Sequence, residues 1–382
     1  MTFEFATAAR IVFGRETIQT AAGEARSLGK RIFVVTGKTD DRAQPLIDRL
    51  GGIAVATFNV RGEPTTDSVL DAVAASREFK ADLVVGIGGG SVLDTGKVVA
   101  ALMTNDGDLM DYLEVIGGAR PLERRPVPYI AVPTTAGTGA EVTRNAVIDS
   151  PEHRVKVSMR SPLMLPRLAV VDPDLTRDLA PDVTASTGMD ALTQLLEAFV
   201  SSKANPLTDG ICREGLQRAA RWLRRACERG DDMTARENMA LASLFGGLAL
   251  ANAKLGAVHG FAAPVGAALS IPHGVVCGRL LAPVMAANIR VLRDRAPEGE
   301  ALDRYAETAR ILTGDSNAGP EAGAEWVGAL CADLALPDLA SFGLTNDHIP
   351  DLVAKAARAS SMKGNPVALT EAELTGILAS FS

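Results

Sequence analysis

The sequence has only four histidines in 382 residues, and two of them, His259 and His273, stand in unusually apolar segments, residues 256–260 and 271–274. An imidazole in such surroundings needs a polar partner. A hydrogen-bonded core histidine is the ordinary outcome for either one. Two histidines joined by a carboxylate from elsewhere would instead make a mixed nitrogen and oxygen site for Fe²⁺ or Zn²⁺. Residues 188–199 offer one: Asp190, Gln194 and Glu197 fall at i, i+4 and i+7 of a helical pattern, opposite an apolar stripe of Met189, Leu192, Leu195, Leu196 and Phe199. A solvated polar face is the usual meaning of that spacing. The four cysteines, Cys212, Cys227, Cys277 and Cys331, form neither a disulfide framework nor a Cys-x-x-Cys zinc site.

Two further segments suit a nucleotide. Gly88, Gly89, Gly90 and Ser91 lie between a β-branched run and a helical pattern, where glycines allow close backbone approach and a helix N-terminus favours an anion such as pyrophosphate. The pattern is not Gly-x-Gly-x-x-Gly and follows the third strand, so the ordinary Rossmann fingerprint is absent. A tight strand-to-helix turn is the bland alternative. Residues 133–141, with Thr134, Thr135 and Thr138, also follow a strand and would suit a second lip of a nucleotide cleft; a helix-capping loop has the same composition.

The elements that must position these residues change character along the chain. β-Branched runs at 31–36, 53–60, 82–87, 129–133 and 169–172 alternate with helical patterns, including 66–78 and 92–104, which implies a mostly parallel sheet covered on both faces. After about Leu179 only helical periodicity remains, at 188–202, 210–228, 236–253, 276–294, 301–313, 319–334 and 347–360. The expectation is an α/β nucleotide-binding domain over residues 1–178 and an all-helical domain over residues 179–382. Composition is ordinary for a globular protein, with 47% hydrophobic and 22% charged residues. A net charge of −7 and the lack of a long basic run argue against nucleic acid. The apolar stretches read as shorter than the roughly 18 residues of a membrane span. Residues 1–14 lack signal-peptide character, so a reducing cytoplasm is expected.

Taken together, residues 88–97, 133–141, 187–192, His259 and the Pro272-His273-Gly274 segment resemble the iron-containing (group III) alcohol dehydrogenases, and the likeness runs from Ile11 to Pro366. The resemblance implies an N-terminal dinucleotide-binding α/β domain plus an all-helical C-terminal domain, the architecture shared with dehydroquinate synthase, with a divalent metal beside the nicotinamide in a cleft. It places Gly88, Gly89, Gly90, Ser91 and Asp94 at the pyrophosphate and Thr134, Thr135 and Thr138 along the cofactor, with Lys156 nearby. Asp190, His259 and His273 match three metal ligands. The fourth, a histidine in the family, is Gln194 here, whose carbonyl is a weaker donor. Ala263 replaces a proton-transferring histidine, leaving the relay to water or the cofactor ribose. Lys254 replaces a small residue, to hold an acidic substrate or point to solvent.

The implied activity is that of an NAD(P)-dependent oxidoreductase acting on CH–OH groups, an alcohol dehydrogenase or aldehyde reductase for a small alcohol, aldehyde or keto substrate. A homo-oligomer, a dimer in the simplest case, is expected. The competing readings are a maleylacetate-type reductase, a dehydroquinate-synthase-like lyase, and a non-catalytic relative with a decayed metal site. The family's acidic position after the first strand of the cofactor fold falls on Gly37. Glycine there neither holds a ribose 2′-hydroxyl nor repels a 2′-phosphate, so the choice leans to NADP or dual use, with Asp40 and Asp41 as counter-indications.

Overall fold

A computed structural model describes residues 2–153 and 155–381. The chain forms two compact units, residues 6–178 and residues 179–381, the latter taking in residues 2–5.

The first unit is built on a six-stranded sheet: β1 (Ile11–Phe13), β2 (Arg31–Thr36), β3 (Ala54–Asn59), β4 (Leu83–Gly88), β5 (Tyr129–Pro133) and, after the hairpin strands β6 (Asn145–Ser150) and β7 (Val155–Arg160), β8 (Leu168–Val171). Its order is β1-β8-β5-β4-β2-β3, and every pairing is parallel. The central strands are β-branched and buried on both faces, as a sheet sandwiched by helices requires. On one face α1 (Ile18–Leu28) and α2 (Gln44–Leu50) cover Ile32, Val34, Val85 and Val132. On the other, α3 (Thr66–Phe79) and α4 (Gly90–Leu102) cover Phe33, Val35, Val84 and Ala131, beside the short α5 (Leu109–Tyr112). From β2 the chain moves outward to β3, and from β4 it moves the opposite way to β5, so the sheet has its switch point between β2 and β4. Ligands of open parallel sheets bind beyond the strand ends at such a point.

The second unit holds α6 (Pro181–Val200), α7 (Pro206–Glu228), α8 (Met233–Ala253), α9 (Ala257–Leu269), α10 (His273–Arg295), α11 (Glu300–Thr313), α12 (Pro320–Asp333), α13 (Ile349–Arg358) and α14 (Glu371–Ala379), with no strand among its described residues. Helix α6 packs against α7, α8, α10 and α11 at once. The solvated-face expectation for its polar stripe is therefore wrong: Asp190, Gln194 and Glu197 are 2%, 2% and 4% exposed. Their environment was set by three-dimensional packing, which i, i+4, i+7 spacing does not reveal. Helix α10 also corrects the reading of the apolar runs, being long and apolar enough by composition to span a bilayer, but 72% of that window is buried within the protein, as in a core helix.

Candidate metal centre and nucleotide site

Three helices bring four chemically active side chains together. Asp190 comes from the middle of α6, His259 from the first turn of α9, and His273 and Cys277 from successive turns of α10. Their ligand atoms all lie within 4.8 Å of one another. Asp190 Oδ1 is 3.3 Å from His259 Nε2 and 3.8 Å from His273 Nε2. Cys277 Sγ is 3.8 Å from His259 Nε2 and 3.6 Å from His273 Nε2.

Helix α9 exists despite Pro264 and several glycines because its first turn is held from outside. Asn365 Oδ1 accepts from Ala257 N at 3.1 Å, and Glu197 accepts from Val258 N at 2.7 Å and His259 N at 3.3 Å. These are the orphan donors of a helix start. Glu197 also accepts from His259 Nδ1 at 2.7 Å, which fixes the tautomer and turns Nε2 toward Asp190. Sequence spacing offered Glu197 only as part of a polar face; here it positions an imidazole.

The four groups polarise one another. Burial alone would raise Asp190, yet the neighbouring His273 and His259 hold its carboxyl below the ordinary value, helped by a hydrogen bond from Gln194. Burial opposes charge on His259 as well, but Cys277, Asp190 and Glu197 outweigh it and raise the imidazole well above its usual value. The same contest leaves His273 raised to about 8. Burial disfavours the Cys277 thiolate, and the two imidazoles overcome that and lower its pKa. An acidic oxygen, two imidazoles and a thiol inclined to ionise are donors for a divalent transition-metal ion.

Cys277 was missed by the sequence reading, which tested cysteines only against one another. The signal was His273-x-x-x-Cys277, i and i+4 on one helix face. Gln194 lies beside Asp190 and bonds to it, with its carbonyl oxygen against Gly246 of α8, where a Cβ would meet it at 3.0 Å. Ala263 stands one turn beyond His259 and offers no proton-transfer group. Lys254 is exposed at the end of α8, with a φ of 60°.

In the α/β unit, register alone gathers the nucleotide candidates. Thr36 pairs with Ile87, and Gly88 with Pro133, so Gly37, residues 88–91 and residues 134–138 all leave the C-terminal ends of β2, β4 and β5. Thr134 N donates to the Gly88 carbonyl at 2.9 Å. A Cβ on Gly90 would come within 2.8 Å of Thr138, so only glycine lets the two loops close up. Helix α4 begins at Gly90 with no side-chain cap, leaving its N-terminal turn for an incoming acceptor. Asp94 is occupied differently: it accepts from Lys97 Nζ at 3.1 Å and from Val147 N at 2.8 Å, tying α4 to the β6–β7 hairpin. Lys156, on β7, is ion-paired with Glu63. Arg42, which the sequence reading passed over, reaches from the loop after β2 to donate to the Thr134 carbonyl at 3.2 Å.

Residues 8–173 match the model of the iron-containing alcohol dehydrogenases, and residues 184–381 match the C-terminal domain of the same family. The chain belongs to the iron-containing alcohol dehydrogenase family. Long-chain-alcohol dehydrogenase 1 of Geobacillus thermodenitrificans is 35% identical, over 97% of this chain and 95% of that protein. A crystal structure of 1,3-propanediol oxidoreductase superposes with a TM-score of 0.91 at 32% identity, covering all of both chains. Sulfoacetaldehyde reductase from Bifidobacterium kashiwanohense, solved in complex with NAD⁺, gives 0.88 at 29% identity, covering 100% of this chain and 99% of that one. This iron-containing alcohol dehydrogenase is thus an oxidoreductase of CH–OH groups, with the α/β and helical units of its family. The matches favour that activity over the maleylacetate-reductase, lyase and non-catalytic alternatives.

Proposed function

We propose that the protein interconverts a small alcohol and its carbonyl compound with a nicotinamide dinucleotide, using a divalent metal held by Asp190, His259 and His273. The observation that carries this reading is the convergence of the buried Asp190 carboxylate and His259 imidazole with the part-exposed His273 imidazole, from three helices, with donor atoms within 4.8 Å of one another. The donor set fits Fe²⁺ or Zn²⁺. A metal bound there would supply Lewis acidity to the substrate oxygen as hydride is exchanged with the cofactor. The chain's own part is to hold Asp190 ionised and to aim His259 through Glu197. Gln194 acts in this scheme on Asp190, donating its amide N–H to the carboxylate. The test is metal content of freshly purified protein, read with aldehyde-dependent NAD(P)H oxidation before and after chelation. Activity lost on chelation and restored by Fe²⁺ or Zn²⁺ is the expected result; undiminished turnover by metal-free protein refutes it.

For the cofactor, the proposed grip is residues 88–91 on the pyrophosphate and Thr134, Thr135 and Thr138 alongside, at the adjoining C-terminal ends of β4 and β5; the NAD⁺ complex of a similar fold supports the choice of a nicotinamide dinucleotide. Asp94 and Lys156 act there through the hairpin that they anchor. We read the loop after β2 as open to NADP as well as NAD. A Cβ on Gly37 would meet nothing within 4 Å, and Arg42 supplies a guanidinium in the same loop. Asp40, held by Asn59 at 2.9 Å, is the opposing charge. Gly37→Asp fits without steric cost and should weaken NADPH relative to NADH by at least about tenfold, since about 1.4 kcal/mol of charge repulsion suffices. Steady-state KM values for both cofactors check this, and an unmoved ratio removes Gly37 from the ribose site. The reading carries with it a homodimer, the commonest closed assembly, in a reducing cytoplasm suited to four free thiols.

A further inference from the structure

We propose that Cys277 is itself a metal ligand, completing with its thiolate the set begun by Asp190, His259 and His273, so that the centre is one carboxylate, two imidazoles and one sulfur. The proposal rests on the metal reading above and goes beyond it in naming the fourth donor.

The size of the cluster carries the argument. Metal–nitrogen and metal–oxygen bonds near 2.0–2.2 Å and a metal–sulfur bond near 2.3 Å, arranged tetrahedrally, put neighbouring donors about 3.3 to 3.6 Å apart. The measured edges are 3.3 and 3.8 Å from Asp190 to the two imidazoles, and 3.8 and 3.6 Å from Cys277 to the same two. Four of the six donor–donor edges are thus close to those of a metal-sized tetrahedron with sulfur at one corner, and the other two are within 4.8 Å. Helix geometry enforces this arrangement, because His273 and Cys277 are one turn apart on α10 and face the same way. Cys277 has no exposed surface, and the polar atoms bonded to its sulfur are those of the two histidines. The other buried cysteines behave as ordinary core thiols: Cys331, for example, donates to the Gly278 carbonyl at 3.2 Å. Gln194 gives its amide N–H to Asp190, and a Cβ added to Gly246 would stand 3.0 Å from its carbonyl oxygen. Sulfur is a softer donor than a glutamine carbonyl or an imidazole, so the set favours Zn²⁺ or Co²⁺ over Fe²⁺.

The test is spectroscopic and does not depend on turnover. Wild-type protein stripped of metal and loaded with Co²⁺ should show a thiolate-to-cobalt absorption band in the near ultraviolet. With Zn²⁺, X-ray absorption should show one sulfur at about 2.3 Å. Cys277→Ser and Cys277→Ala should lose the band and bind Zn²⁺ at least about tenfold more weakly, while Gln194→Ala keeps the band. Circular dichroism checks that each variant is folded, and the wild-type spectra stand whatever the variants do. Bound Co²⁺ without a sulfur band, or a band that survives Cys277→Ala, overturns the proposal and leaves the three-ligand reading intact. Wild-type protein that binds neither ion overturns both.

Discussion

His259→Ala should yield protein that retains neither metal nor appreciable turnover. The imidazole it removes is the one member of the cluster that contacts Asp190, Cys277 and Glu197 at once. Without it the remaining donors enclose a gap, and the Glu197 carboxylate keeps only the two backbone donors of α9. A Lewis acid contributes several kcal/mol to catalysis of this kind, which at about 1.4 kcal/mol per factor of ten means a fall in kcat/KM of about a thousandfold. Metal analysis and single-substrate kinetics on the same preparation measure both losses. A variant that kept full turnover would show that hydride transfer proceeds here without a metal.

Removing Glu197 should have the next largest effect, through affinity and stability more than through contact with substrate. Its carboxylate satisfies three donors at once, Val258 N, His259 N and His259 Nδ1, in a position 4% exposed. In Glu197→Ala those donors lose their acceptor, at about 1–3 kcal/mol for an unsatisfied buried group. Partners of this kind also govern metal affinity, typically by 10- to 100-fold. Glu197→Gln keeps an acceptor oxygen but not the charge, so it should recover much of the stability and little of the metal affinity. Denaturant titration and metal competition would separate the two. Equal loss of both in the Gln variant would mean that Glu197 is only a packing element.

The parts of the fold that were legible in sequence are those where local pattern and tertiary role agree. Strands β2, β4 and β5 are short β-branched runs buried on both faces, and their boundaries came within a residue or so of the expectation. Helix α6 was legible as a helix, but not the fate of its polar stripe, since burial by α7, α8, α10 and α11 comes from distant segments. Helix α9 was not legible at all. Pro264 and the glycines at 260 and 266 lower its intrinsic propensity, and its stabilising partners, Glu197 and Asn365, lie far away in sequence. The β6–β7 hairpin escaped for a related reason: polar residues such as Asp149, Ser150 and Lys156 break up the apolar alternation that marks a strand. At the candidate metal centre the family resemblance named Asp190, Gln194, His259 and His273, whereas Cys277, one turn after His273 on α10, was passed over because its neighbours in sequence include no second cysteine.

The loops at the ends of β2, β4 and β5 differ in how much change they can absorb. Around Gly88 and Gly90 an added methyl group would meet Val92 at 2.5 Å and Thr138 at 2.8 Å, while around Gly37 it would meet nothing. The crowded pair is in effect frozen, because altering Gly88 forces a second change at Val92 on α4 and altering Gly90 forces one at Thr138 in the neighbouring loop. The loop after β2 is free to drift, one substitution at a time. On the proposed cofactor reading, preference between NAD and NADP is consequently an evolvable trait, separable by mutation from the grip on the phosphates, and laboratory selection for a new preference should collect its changes at residues 37–42 and leave residues 88–91 untouched.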